Sequence, residues 1–132
     1  METTASAQNA ASAQDMAYHP LTLEIMDLVG DKWTLLITYT LGEGALRFSE
    51  LKRRASPISA KMLSQTLRGL ECYGMVSRTV APTSPPSVEY ALTPLGESFL
   101  KAASVICAWT RDNMDELDAA RQAFTTADEI AA

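Results

Sequence analysis

SAKMLSQTLRGLECYG, residues 59–74, decides how the chain is read. Ser59 offers a hydroxyl to cap a helix, and Gly74 can take the left-handed turn that ends one. Between them Leu63, Leu67 and Leu70 recur at i, i+4, i+7 and build one apolar side. Lys61, Gln65 and Arg68 fall on the opposite side, with Ser64 at its edge. Arg and Lys donate to guanine or phosphate, Gln pairs bidentately with adenine, and Ser serves either base edges or backbone.

The charge around this stretch is segregated. From Arg47 to Val80 the chain places seven basic side chains (Arg47, Lys52, Arg53, Arg54, Lys61, Arg68, Arg78) against Glu50 and Glu71 alone. The whole chain is acidic, with 11 Lys+Arg against 16 Asp+Glu. An acidic protein that concentrates its positive charge on one helical stretch has built a surface for a polyanion.

Outward from that helix, RFSELKRR (47–54) reads as a short helix with Phe48 and Leu51 inward, and Pro57 enforces a turn after it. Upstream, a helix starts at Pro20 with Leu21, Ile25, Leu28 and Val29 on one face. Gly30-Asp31 breaks it. Lys32–Leu41 follows as a mostly buried helix, although its β-branched residues leave a strand reading open. Downstream, Met75–Val80 and Val88–Leu92 form a hairpin around the Pro-rich APTSPPS, and Thr93-Pro94 opens a long final helix to about Leu117. Leu95, Phe99, Ala102, Ala103, Ile106 and Trp109 line its apolar stripe.

Two short helices joined by a turn and followed by a hairpin are the parts of a winged helix-turn-helix. The expected fold class is therefore mainly α with a small β-hairpin wing, dimerising through terminal helices. A disordered tail, or at best a frayed helix, is expected over 1–17, the folded domain over 18–118 with a C-terminal dimerisation helix, and a flexible tail over 119–132. No segment approaches the roughly 20 apolar residues of a membrane span, and the N-terminus lacks the basic start and apolar run of a secretory signal, so a cytoplasmic location is expected. Cys72 and Cys107 show no metal or CxxC spacing.

Ile25 to Trp109 resembles the HxlR-type winged helix-turn-helix regulators, a bacterial, MarR-like family. The matching pieces are GDKWTLLI (30–37), LRFSELKR (46–53), the IS-K-LSQTLRGLE pattern (58–71), YGMVSR (73–78), PPSVEYALTPLG (85–96) and the late Trp109. The resemblance implies a homodimer on an inverted-repeat operator, a recognition helix at Ser59–Tyr73 and a core position for Trp33. Two departures stand out. The family's Cys-Pro pair, whose Cys is a redox sensor in some members, is His19-Pro20 here, and the wing carries no Lys or Arg from Val80 through Leu92.

The expected function is sequence-specific binding of double-stranded DNA by a homodimeric repressor or activator. Lys61, Ser64, Gln65 and Arg68 would meet base edges. Arg47, Lys52, Arg53, Arg54 and Arg78 would meet phosphates. Leu21, Ile25, Leu28, Phe99, Ala103, Ile106 and Trp109 would form the dimer interface, whose two-fold would set the recognition helices about 34 Å apart. Trp33 and Trp109 mark a possible pocket for a small effector. Nothing calls for a cofactor or a metal. The competing reading is a winged protein-interaction module without specific DNA binding. An enzyme finds no support, because no nucleophile–base pair, phosphate-cradling loop or carboxylate pair in an apolar setting is present. The lone His19 and the Asp112–Asp118 carboxylates read as a cap or packing residue and as a solvated face.

Overall fold

The computed structural model describes residues 14–131. Its elements are α1 (Pro20–Gly30), α2 (Lys32–Leu41), β1 (Leu46–Arg47), α3 (Phe48–Arg54), α4 (Ala60–Cys72), β2 (Val76–Ala81), β3 (Ser87–Leu92), α5 (Pro94–Asp112) and α6 (Met114–Ala131).

The starts of α1, α2, α4 and α5 are each fixed by a side-chain cap. His19 Nδ1 accepts from Leu21 N–H at 3.1 Å, so the lone histidine caps α1. Asp31 ends α1 and begins α2. Its carboxylate accepts from Trp33 N–H at 3.0 Å and from the Thr34 hydroxyl at 3.1 Å. Replacing Asp31 by Ala should lower unfolding stability by about 1 kcal/mol, with most of the loss recovered by Asn, as read in urea titrations. An equal loss in both variants would remove capping as the cause.

The strand ambiguity of residues 32–41 resolves as helix. Thr34 and Thr38 are buried, and the Thr38 hydroxyl donates to the Thr34 carbonyl at 2.7 Å, so the helix satisfies its own buried polar groups. Ile37, Leu41, Leu51, Ile58, Leu63, Leu67, Leu70, Met75, Val76 and Phe99 build the core around this helix. Trp33 packs against that core half-buried, with Lys32 Nζ 5.0 Å from its ring centre.

The sheet has three antiparallel strands in the order β1-β3-β2, not the two of a simple hairpin. The third is Leu46–Arg47, which pairs Leu46 with Tyr90 and Arg47 with Glu89. Two residues are too few for alternation to signal a strand, so Arg47 reads from sequence as helix. The wing strands pair Arg78 with Tyr90 and Thr79 with Glu89.

Two expectations about the ends of the chain need restating. Residues 1–13 of the expected tail lie outside the described residues, and residues 14–17 are helical. Residues 119–131, expected as flexible tail, continue α6 to Ala131. Their alanines favour helix intrinsically, and Arg121 pairs with Asp118 one turn back.

Candidate nucleic-acid interface

Helix α4, expected to be the recognition helix, is delimited as its sequence requires. Ser59 Oγ accepts from Met62 N–H at 3.0 Å. At the other end Gly74 has φ +72°, Gly74 N–H donates to the Glu71 carbonyl at 3.0 Å, and Met75 N–H donates to the Leu70 carbonyl at 3.0 Å. That is a Schellman cap, closed by buried Met75 beside buried Leu70. Leu63, Thr66, Leu67 and Leu70 hold the helix down, which leaves Lys61, Ser64, Gln65, Arg68 and Cys72 facing outward.

These outward residues divide between two edges. Ser64 and Arg68 border a cleft of about 320 Å³ whose far wall is Arg78 and Tyr90 of the wing, with Leu67 as its floor and Glu71 at one end. Gln65 borders a different, smaller concavity of about 150 Å³, shared with Asp31, Thr34 and Met62 on the side of α1 and α2. Lys61 lies between these edges at the start of the helix.

The expected phosphate contacts do not form one uniform patch. Residues directly opposite in an antiparallel sheet share a face, so Arg78 lies with Tyr90 and buried Leu46 on the side toward α4. Arg47 lies on the other face, opposite Glu89 and Thr79. On α3, Arg54 is bound by Glu43 at 3.0 Å and lies 3.9 Å from Glu50, which is also 3.9 Å from Arg53. Among the described residues, no carboxylate comes within 4.0 Å of Arg47, Lys52, Lys61, Arg68 or Arg78. The Glu43 contact joins residues eleven apart, and no periodicity in the sequence announces it.

The C-terminal end of α4 is tied to its neighbours. The Tyr73 hydroxyl donates to Glu24 Oε1 of α1 at 2.8 Å, and this acceptor holds its ionisation above the ordinary tyrosine value. Thr93, the cap of α5, donates its hydroxyl to the Gly74 carbonyl at 2.5 Å and accepts from Gly96 N–H at 3.1 Å. On the far side of α5, the Tyr39 hydroxyl lies between Cys107 and Ser104, donating to Ser104 Oγ at 3.1 Å. Its hydrogen bond with Cys107 is the main cause that raises its ionisation, and Ser104 pulls the other way. Both thiols, Cys72 and Cys107, are free and exposed.

The residues expected at a dimer interface fall into two sets. Phe99 and Ala103 are buried inside the protomer, where α5 packs on its own domain, and Phe99 still borders an open groove with Leu21, Ile25 and Leu95. Leu21, Ile106 and Trp109 are each about half exposed, and Ile25 and Leu28 are half-buried against the core. Trp109 borders an open concavity with Asn113, Glu116, Leu117 and Ala120, and Trp33 is not among its lining residues. The two tryptophans therefore do not share that surface.

A helix-turn-helix formed by α3 and α4, a three-stranded wing beside it and an outward basic face on its second helix define a winged helix-turn-helix DNA-binding protein. Residues 28–118 match the family described as HxlR-like helix-turn-helix, and the chain belongs to that family. It is 41% identical over 98 residues to the uncharacterised HTH-type transcriptional regulator YtfH of Escherichia coli (strain K12), covering 74% of this chain and 78% of that one. Among solved structures, the transcriptional regulator ytfH from Salmonella typhimurium superposes with a TM-score of 0.67 at 38% identity, covering 76% and 90% of the two chains. The reduced form of the transcriptional regulator YodB from B. subtilis gives 0.64 at 34% identity, covering 70% and 90%. The chain is thus a transcriptional regulator with a helix-turn-helix DNA-binding fold, and its relatives indicate no enzymatic family. Among the described residues, no helix is long and apolar enough to cross a membrane.

Proposed function

We infer that the protein acts as a homodimer on an inverted-repeat operator in cytoplasmic DNA, with Lys61, Ser64, Gln65 and Arg68 meeting base edges. The observation that carries this reading is the outward face of α4, where four polar side chains stand exposed and both cations lack a carboxylate partner. Lys52 and Arg78 then serve the phosphates as they stand. Arg53 and Arg54 do so by releasing or sharing Glu50 and Glu43, and Arg47 serves from the outer face of the sheet. The wing contributes through Arg78 at its base, because its tip carries no cation.

Leu21, Ile106 and Trp109 supply exposed apolar surface at the terminal helices, which favours pairing there with a second copy. A small effector acting near Trp109 would tune the dimer's hold on DNA. Arg68 and Arg78 border one cleft, which supports a base contact by Arg68 beside a phosphate contact by Arg78 in the same half-site.

Selection of bound sequences from a random duplex pool tests the reading. A palindrome with half-sites about ten base pairs apart is the expected result. An unselective pool, from protein shown to be folded, would favour the protein-interaction reading. Arg68→Ala should cost about 1–3 kcal/mol at one base pair per half-site. A uniform loss across all sequences would reassign Arg68 to phosphate, alongside Arg78.

A further inference from the structure

The protomer leaves its last helix unused. α6 buries none of its 18 residues and packs substantially on no other element, yet Phe124 is 74% exposed and Ile130 81%. Most helical stability in proteins comes from packing an apolar face, and α6 finds none in the protomer, so its apolar side calls for a partner. Most of α6 also lies beyond the residues matched to the family, which end at 118.

The spacing on α6 specifies the partner. Asn113, Leu117, Ala120, Phe124, Ala127 and Ala131 follow one another at four, three, four, three and four residues, the a/d repeat of a coiled coil. The chain enters α6 without a loop. Asn113 N–H donates to the Trp109 carbonyl at 3.1 Å, and Leu117 N–H donates to the Asn113 carbonyl at 2.9 Å. Read backward, the same spacing passes through Thr110 and Ile106 to Ala103 and Phe99, which are core residues of the protomer. The seam therefore starts inside the domain and leaves it at Ile106.

Two open concavities flank Leu117, as the holes of knobs-into-holes packing require. One, of about 340 Å³, carries Glu116 at its rim. The other, of about 620 Å³, carries Arg121. With Leu117 and Phe124 at a positions, Glu116 is a g residue and Arg121 the e residue five positions later. In a parallel pair those two positions face each other across the seam, twice per dimer, with opposite charge. Antiparallel pairing sets e against e and g against g and loses that match. In the protomer Arg121 is held by Asp118, which leaves Glu116 without a cation of its own.

We propose that α6 forms a parallel, in-register coiled coil with α6 of a second copy of this chain, in which Leu117 and Phe124 layers alternate with alanine layers and Glu116 of each copy meets Arg121 of the other. The proposal rests on the homodimer reading and adds to it a partner surface, an orientation and a charge code.

Sedimentation of the full chain over a range of concentrations tests it. Phe124→Glu should raise the dimer dissociation constant by at least about tenfold. Since α6 buries no residue in the protomer, the far-UV signature and thermal transition of the winged domain should persist. Glu116→Arg and Arg121→Glu should each weaken self-association, and mixing the two variants should restore it, because the mixed pair has opposite charges at both contacts. A wild-type dimer unmoved by all three substitutions would overturn the seam while leaving the homodimer reading intact. Weakened variants that fail to recover on mixing would overturn the parallel arrangement. A wild-type chain that stays monomeric would overturn both.

Discussion

Gly96→Ala should unfold this protein or come close to it. Gly96 lies in the first turn of α5, and a Cβ placed there would lie 1.9 Å from the Met75 carbonyl oxygen and 2.9 Å from its carbon. Backbone atoms cannot step aside as a side-chain tip can, so the helix itself must move. Moving it breaks a compact clip. Thr93 N–H donates to the Met75 carbonyl at 3.0 Å, and the Thr93 hydroxyl donates to the Gly74 carbonyl in the turn that ends α4. The expected loss is about 3 kcal/mol or more, read from the urea midpoint. Gly69→Ala is the matched control. It sits mid-helix on α4 with nothing within 4 Å of its Cβ position, so it should be neutral or gain up to about 1 kcal/mol. Similar losses at the two glycines would mean that the close approach to Met75 is not what matters.

Affinity for a selected operator should collapse with salt. If six to ten phosphates are neutralised across a dimer, binding should weaken by about 10³–10⁵ between 50 and 200 mM salt, with log K falling by about 0.9 per phosphate against log salt. Lys52→Ala should flatten that slope by about one unit per subunit with little change in sequence preference, since Lys52 is exposed and unpaired. Arg54→Ala should flatten it less, because Arg54 already spends its charge on Glu43 and Glu50. A salt-insensitive interaction would rule out phosphate contact as the source of affinity. Equal slopes for the two variants would show that the Glu43 pair opens on DNA.

Much of the fold was legible because it is written in local chemistry. Ser59, Gly74, Thr93 and Pro94 act within a turn of where they stand, and each ends or starts a helix as its residue type predicts. The leucine repeat of α4 needed only helical periodicity to name its buried side. Harder to read were features made by residues far apart. The β1 strand exists only because β3 lies beside it, and Phe99 and Ala103 look like interface on a helical wheel until α5 docks and buries them. The division of the outward face, Ser64 and Arg68 toward the wing and Gln65 toward α1 and α2, likewise depends on what stands next to α4.

By itself, the sequence determined the caps and breaks of most helices, which side of α4 faces out and that the basic charge gathers there, but not the helical state of 119–131. Those properties depend on side chains within a few residues of one another. The tertiary structure decided which of those cations are free, that Arg47 and Arg78 lie on opposite faces of one sheet, and that α6 emerges with no surface of its own domain to cover it. Ion pairing and burial are set by distances between residues that only the packed chain brings together.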